Sequence, residues 1–183
     1  MSRIAVIVGS LRRESYNRRL AHALTKLPAA QGHSFTFPEI SDLPLYNQDD
    51  DGSPAAPVQR IKSQIAGSQA LLFVTPEYNR SIPGVLKNAI DHASRPYGQN
   101  AWANKPAGVL GISIGSIGTA VAQQHLRTIL AYLDVPTLGQ PEVFLQATDG
   151  FFDDKGGFAR EDTRKFLQGW MNQYLAWIRK HAG

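Results

Sequence analysis

Three short apolar runs, Ile4 to Val8, Gln69 to Val74 and Ala107 to Ile112, limit what this 183-residue chain can become. Each is too continuously apolar for a strand with one wet face, so each reads as a strand buried on both sides of a parallel sheet. The segments between them carry helical spacing. Apolar positions recur at Leu20, Ala23, Leu24 and Leu27, across Val58 to Ala66, and at Val85, Leu86, Ala89, Ile90 and Ala93 after Pro83. They recur again over Thr119 to Leu133 and over Glu161 to Lys180, where Phe166, Leu167, Trp170, Met171, Tyr174, Leu175, Trp177 and Ile178 form a core stripe. Two further strands complete the alternation: His33 to Ile40, expected near a sheet edge, and Val135 to Leu145, split by Gly139 to Pro141. Strands alternating with helices predict an α/β chain with five parallel strands in the order 2-1-3-4-5 and helices on both faces.

In an open parallel sheet, ligands gather beyond the carboxyl ends of the strands, where successive connections leave for opposite faces. The predicted order puts the first and third strands side by side at that crevice. After the first strand comes Gly9-Ser10-Leu11-Arg12-Arg13-Glu14-Ser15-Tyr16-Asn17, which reads as a phosphate cradle. The unpaired N–H groups and positive dipole end of the following helix favour an anion. Ser10, Ser15 and Asn17 add neutral donors, and Arg12 adds a forked cationic one. In a plainer role, Ser15 caps the helix. After the third strand comes Thr75-Pro76-Glu77-Tyr78-Asn79, where Pro76 stiffens the loop and Tyr78 offers a flat ring. The fourth strand ends in Gly111-Ile112-Ser113-Ile114-Gly115-Ser116-Ile117-Gly118, small residues that let backbone approach a ligand.

The pattern Gly-Ser-x-Arg-x-x-Ser-x-Asn, joined by Pro76-Glu77-Tyr78-Asn79 and by Pro83-Gly84-x-Leu86-Lys87-Asn88-Ala89-Ile90-Asp91, resembles the NADPH-dependent FMN reductase family. By pattern it is similar to the bacterial quinone and chromate reductases, over roughly Arg3 to Val143. The resemblance implies a flavodoxin-like three-layer sandwich, FMN as cofactor and NADPH or NADH as hydride donor. It implies a small-molecule acceptor such as a quinone, free flavin, azo compound or metal oxyanion like chromate, reduced in ping-pong turnover. Ser10 and Arg12 would hold the phosphate while Ser15, Tyr16 and Asn17 close the loop. Pro76, Glu77, Tyr78 and Asn79 would line the flavin ring, with Ser113 and Gly115 bordering it. No acid, base or nucleophile is required, and a homo-oligomer, dimer or tetramer, is expected.

At this length residues 1–183 suit one domain, which buries about 70% of its unfolded surface. Zero cysteines exclude a disulfide frame, thiolate metal sites, iron–sulfur clusters and a cysteine nucleophile. Apolar runs of five or six residues are too short for a membrane span or secretion signal, so a cytoplasmic protein is expected. The net charge of +4 is small, and its main concentration is Arg12, Arg13, Arg18 and Arg19. That cluster suits an arriving anion, and no nucleic-acid motif accompanies it. The triplet Asp49 to Asp51 reads as solvent-facing loop rather than a metal site. Neither a P-loop nor a GxGxxG fingerprint occurs. Two rivals stand beside a reductase. One is a flavodoxin-type electron carrier, although such carriers are typically acidic. The other is a serine hydrolase, because Gly111-x-Ser113-x-Gly115 matches a nucleophile elbow; its triad would need Asp134 or Asp149 and then His181, at a terminus that tends to fray.

Overall fold

The computed structural model describes residues 1–181. Its elements are β1 (Arg3–Val8), α1 (Tyr16–Thr25), β2 (Ser34–Thr36), α2 (Ala56–Ala66), β3 (Ala70–Val74), α3 (Gly84–Ser94), β4 (Ala107–Ser113), α4 (Ala120–Tyr132), β5 (Phe144–Gln146) and α5 (Glu161–His181). All neighbouring strands pair in parallel, in the order β2-β1-β3-β4-β5. This is the flavodoxin-like arrangement.

Alternation along the strands divides the core. Ile4 and Val6 of β1 join Leu20 and Leu24 of α1 and Leu167, Met171 and Tyr174 of α5 on one face. Ala5 and Ile7 join Ile61 and Ile65 of α2, Leu86 and Ile90 of α3 and Leu126 and Leu130 of α4 on the other. A strand wedged between two such layers has no wet side, which is why β1, β3 and β4 read as unbroken apolar runs. On the α5 face, Tyr174 is fully buried and donates from its hydroxyl to the Leu71 carbonyl at 2.7 Å. Burial pushes that phenol well above its ordinary range.

Two strands are shorter than the sequence suggests. β2 covers only Ser34–Thr36 of the expected His33 to Ile40, because Pro38 has no N–H to extend the ladder. Of the expected Val135 to Leu145, only Phe144–Gln146 forms β5, with a lone parallel bridge between Ala107 and Thr137. Gly139 to Pro141 carry the chain out of the ladder between those two contacts. The polar loop before α2 contains a single 3-10 turn at Gln48–Asp50.

Candidate functional site

Beyond the carboxyl ends of β1, β3 and β4 lies a cavity of about 240 Å³. Ser10, Arg12, Ser15, Tyr16 and Asn17 line it from the β1–α1 loop, Pro76, Glu77 and Tyr78 from the β3–α3 loop, and Ile112, Ser113 and Ile114 from β4 onward. A second cavity, of about 460 Å³, shares Glu77, Ser113 and Ile114 and adds Asn79, Arg80, Gly115, Ser116 and Ile117. Together the two cavities bring in every residue singled out from the sequence. The sequence reading did not single out Ile112, Ile114, Ser116 and Ile117 within the third loop it had marked, nor Arg80, which lies one residue beyond the Pro76–Asn79 motif.

The first loop sits close because Gly9 has no side chain. Its N–H donates to the Val74 carbonyl at 2.9 Å, and a Cβ there would lie 2.6 Å from Thr75 Oγ1. Ser15 takes its plainer role as the cap of α1, accepting from Arg18 N–H at 3.2 Å. The Tyr16 and Asn17 N–H groups, at the head of the helix, have no acceptor among the described residues. Ser10 Oγ accepts from Arg12 N–H at 3.4 Å, while the exposed Arg12 side chain joins no ion pair among the described residues.

Asn17 departs from the expectation of a free donor. Its Nδ2 donates to the Ile112 carbonyl at 2.9 Å and its Oδ1 accepts from Ile112 N–H at 3.1 Å, which ties α1 to β4. Nor does the whole basic cluster face the cavity. Arg19 lies over the Phe152 ring at 4.5 Å, and Lys26 donates to the Lys155 carbonyl, so both hold the loop before α5.

In the β3–α3 loop, Tyr78 and Ser81 exchange backbone hydrogen bonds at 3.0 Å around Asn79 (φ 50°) and Arg80 (φ 64°). Two successive positive φ values in a two-residue connection make a type I′ turn. Glu77 just before it is nearly buried, its side chain 8% exposed. Its Oε2 accepts from the N–H groups of Val121 and Ala122, each at 3.0 Å, and its Oε1 pairs with Arg80 at 3.1 Å. The carboxylate therefore caps α4 across space, at an end where Thr119 (φ 72°) supplies no side-chain cap. Beyond the turn, Ser81 Oγ and His125 Nδ1 of α4 are hydrogen-bonded at 3.0 Å.

The third loop turns on Ser113, whose Oγ donates to the Gly115 carbonyl at 3.0 Å and accepts from Gly115 N–H at 3.1 Å. A nucleophile elbow needs the serine at a strand-to-helix turn and a histidine beside it. Here α4 begins only at Ala120, His181 donates to the Trp177 carbonyl, and His125 is engaged with Ser81. The geometry removes the serine-hydrolase alternative. Among the described residues no group of three or more His, Asp or Glu side chains converges on a metal-sized point. Asp51 instead pairs with Arg95 at 3.2 Å. No helix among the described residues is long and apolar enough to cross a membrane.

A family model described as NADPH-dependent FMN reductase matches residues 2–149. The chain belongs to this family. It is 52% identical over 177 residues to a 2-hydroxy-1,4-benzoquinone reductase of a Burkholderia species, covering 97% of this chain and 96% of that one. It is 46% identical over 177 residues to a quinone reductase of Pseudomonas putida, covering 96% and 94%. Among solved structures it is similar to the FerB flavoenzyme, an NAD(P)H:(acceptor) oxidoreductase from Paracoccus denitrificans. That match has a TM-score of 0.94 and 44% identity and covers 99% of each chain.

Proposed function

We propose that the protein transfers hydride from NADPH or NADH to a quinone by way of FMN held across the three loops. The observation that carries this reading is the polarity of the two adjoining cavities. One end gathers Ser10, Arg12 and Ser15 at the head of α1, and the other is bordered by Tyr78, Ile114, Ile117 and glycine-rich backbone. FMN has the same polarity, with a charged phosphate at one end and a flat ring at the other. The unpartnered Tyr16 and Asn17 N–H groups and the Arg12 guanidinium suit the phosphate. Bound there, FMN supplies the two-electron chemistry itself.

The chain contributes placement. Arg12 and Ser10 hold the phosphate, with Ser15, Tyr16 and Asn17 closing the cradle around it. Pro76, Glu77, Tyr78 and Asn79 line the ring from one side and Ser113 and Gly115 from the other, with the Glu77 carboxylate held by the first turn of α4. No side chain serves as acid, base or nucleophile. Free flavin, azo compounds or an oxyanion such as chromate fall within the same acceptor chemistry. Tyr78, Ile114 and Ile117 are 47%, 74% and 40% exposed at the rim, and a second copy of the chain covering them makes a homo-oligomer the working form. A cytoplasmic location follows from dependence on NAD(P)H.

Thermal unfolding with added FMN tests the core of the proposal. At a hundredfold excess over its dissociation constant, a specific ligand adds about 2.7 kcal/mol of stability. No rise in melting temperature would end the flavin reading. Stopped-flow mixing of the FMN-loaded protein with NADPH then separates reductase from electron carrier, since a carrier oxidises no hydride donor directly.

A further inference from the structure

We infer that a small cavity between α1 and the segment after β2 takes the phosphorylated ribose of NADPH, with Arg18 holding its 2′-phosphate, so that the protein prefers NADPH to NADH. The inference rests on the hydride-donor reading above and names the donor. The cavity, of about 110 Å³, is lined by Ser10, Arg18, His22, Phe37 and Glu39 among others, and Ser10 also lines the flavin cavity. Its size suits a sugar or a phosphate group rather than a whole nucleotide. Because Ser10 belongs to the phosphate cradle, a donor whose nicotinamide lies on the flavin ring and whose chain runs back along the flavin meets this cavity with its adenosine half.

The basic cluster at the head of α1 carries the argument, because the structure divides it. Arg19 and Lys26 are engaged with the loop before α5. Arg12 lines the flavin cavity and Arg18 the small one, and neither joins an ion pair among the described residues. Two anions therefore meet two separate arginines. One turn beyond Arg18, the His22 ring stacks on Phe37 with centroids 4.4 Å apart. Burial, joined by the charges of Arg18 and Lys26, holds that imidazole below its ordinary range, so at neutral pH it offers a neutral N–H.

Glu39, three residues after β2, decides between the two donors. At the end of a second strand a free carboxylate takes a ribose 2′-hydroxyl, whereas an arginine accepts a 2′-phosphate. Here Glu39 Oε1 accepts from the N–H groups of Ile40 at 3.1 Å and Ser41 at 2.9 Å. The carboxylate is turned onto its own backbone while the guanidinium stays free, which favours the donor with the additional phosphate.

Calorimetric titration of the FMN-loaded protein with 2′,5′-ADP, which carries that phosphate, and with 5′-AMP, which lacks it, tests the site without turnover. We expect 2′,5′-ADP to bind about tenfold more tightly, the size of one charge-assisted contact, and Arg18→Ala to remove the difference. Arg18 is exposed, so the substitution does not endanger the fold. Arg18→Lys keeps the charge without the fork and should retain part of the preference. In steady state Arg18→Ala should lower kcat/KM for NADPH about tenfold, through KM, and move NADH by less than about twofold. Arg13→Ala controls for the general field of the cluster: Arg13 lines neither cavity, and the ratio of the two nucleotide affinities should stay as in wild type. Equal binding of the two nucleotides by wild type, or equal loss of both on Arg18→Ala, overturns the inference. So does an Arg13→Ala protein that loses the preference as fully as Arg18→Ala, or inorganic phosphate that binds as tightly as 2′,5′-ADP, the mark of a plain anion site. If 2′,5′-ADP binds as expected yet the protein oxidises neither donor, the nucleotide site stands and the reductase reading fails.

Discussion

The β1–α1 and β3–α3 loops face the same crevice from adjacent strands, yet they present opposite chemistry to it. The first offers groups with nothing yet to hold: the Arg12 guanidinium and the Tyr16 and Asn17 N–H groups. The second has three of its polar side chains already engaged with the scaffold, Glu77 with α4 and Arg80, and Ser81 with His125. A compact, charged ligand end is recognised by free donors, because charge-assisted bonds are strong and need only a few atoms in place. A broad flat ring instead requires a rigid wall, whose stiffness comes from side chains tied to α4.

Four substitutions would break or sharpen that contrast. The largest effect belongs to Gly111→Ala, since a Cβ there would lie 2.2 Å from the Thr75 carbonyl and 2.3 Å from Thr119 Oγ1. Forcing those backbones apart should cost on the order of 4 kcal/mol, read as a steep fall in denaturant midpoint. An unchanged midpoint would mean that the ring loop yields easily and is no rigid wall. Next, Asn17→Ala strips the Ile112 N–H and carbonyl of their partners inside the fold. A loss of about 3 kcal/mol of stability is expected from two buried groups left unpaired. If flavin affinity falls while stability holds, Asn17 belongs with the free donors after all.

Arg12→Ala comes third. It should weaken FMN by roughly 1.5 to 3 kcal/mol and leave riboflavin untouched, as loss of a phosphate contact requires. Equal weakening of both flavins would erase the contrast between the loops. The smallest effect is a gain. Arg80 occupies the left-handed second position of the type I′ turn, and its ion pair with Glu77 involves a side chain 65% exposed. Arg80→Gly should stabilise by about 0.5 kcal/mol, since glycine adopts that φ freely and an exposed pair contributes little. A destabilised variant would give the Arg80 pair a larger part in holding the wall.

What could be read from the sequence follows the same division. The sheet order was legible because β1, β3 and β4 carry dense apolar runs whose burial on both faces leaves one arrangement of crossovers. The position of the first loop was legible because its polar residues lie within one stretch at the head of a helix, although the Ser15 and Asn17 side chains turn out to serve the fold. The wall's supports were not, since Glu77 reaches Val121 and Asn17 reaches Ile112 across long sequence separations that no local pattern encodes. Pro76-Glu77-Tyr78-Asn79 marked a loop that lines both cavities, while the direction of the Glu77 side chain depended on where α4 begins. The extent of β5 was hidden for a related reason: Val135 to Leu145 has strand composition, but its partner edge on β4 admits only Phe144–Gln146 and the lone Thr137 bridge.

Strand β4 carries glycine at two positions three apart, which therefore face opposite sides of the sheet. At Gly108 an added Cβ would lie 2.9 Å from Trp170 and 3.0 Å from Tyr174 of α5, and at Gly111 it would press on Thr75 and Thr119. A strand thinned on both sides cannot absorb added volume by sliding, because relief on one side is collision on the other. Variation that retunes the acceptor is thereby channelled away from the floor of the crevice and onto its rim, where Ile114, Ile117 and Tyr78 stand clear of the sheet and can be exchanged without disturbing it.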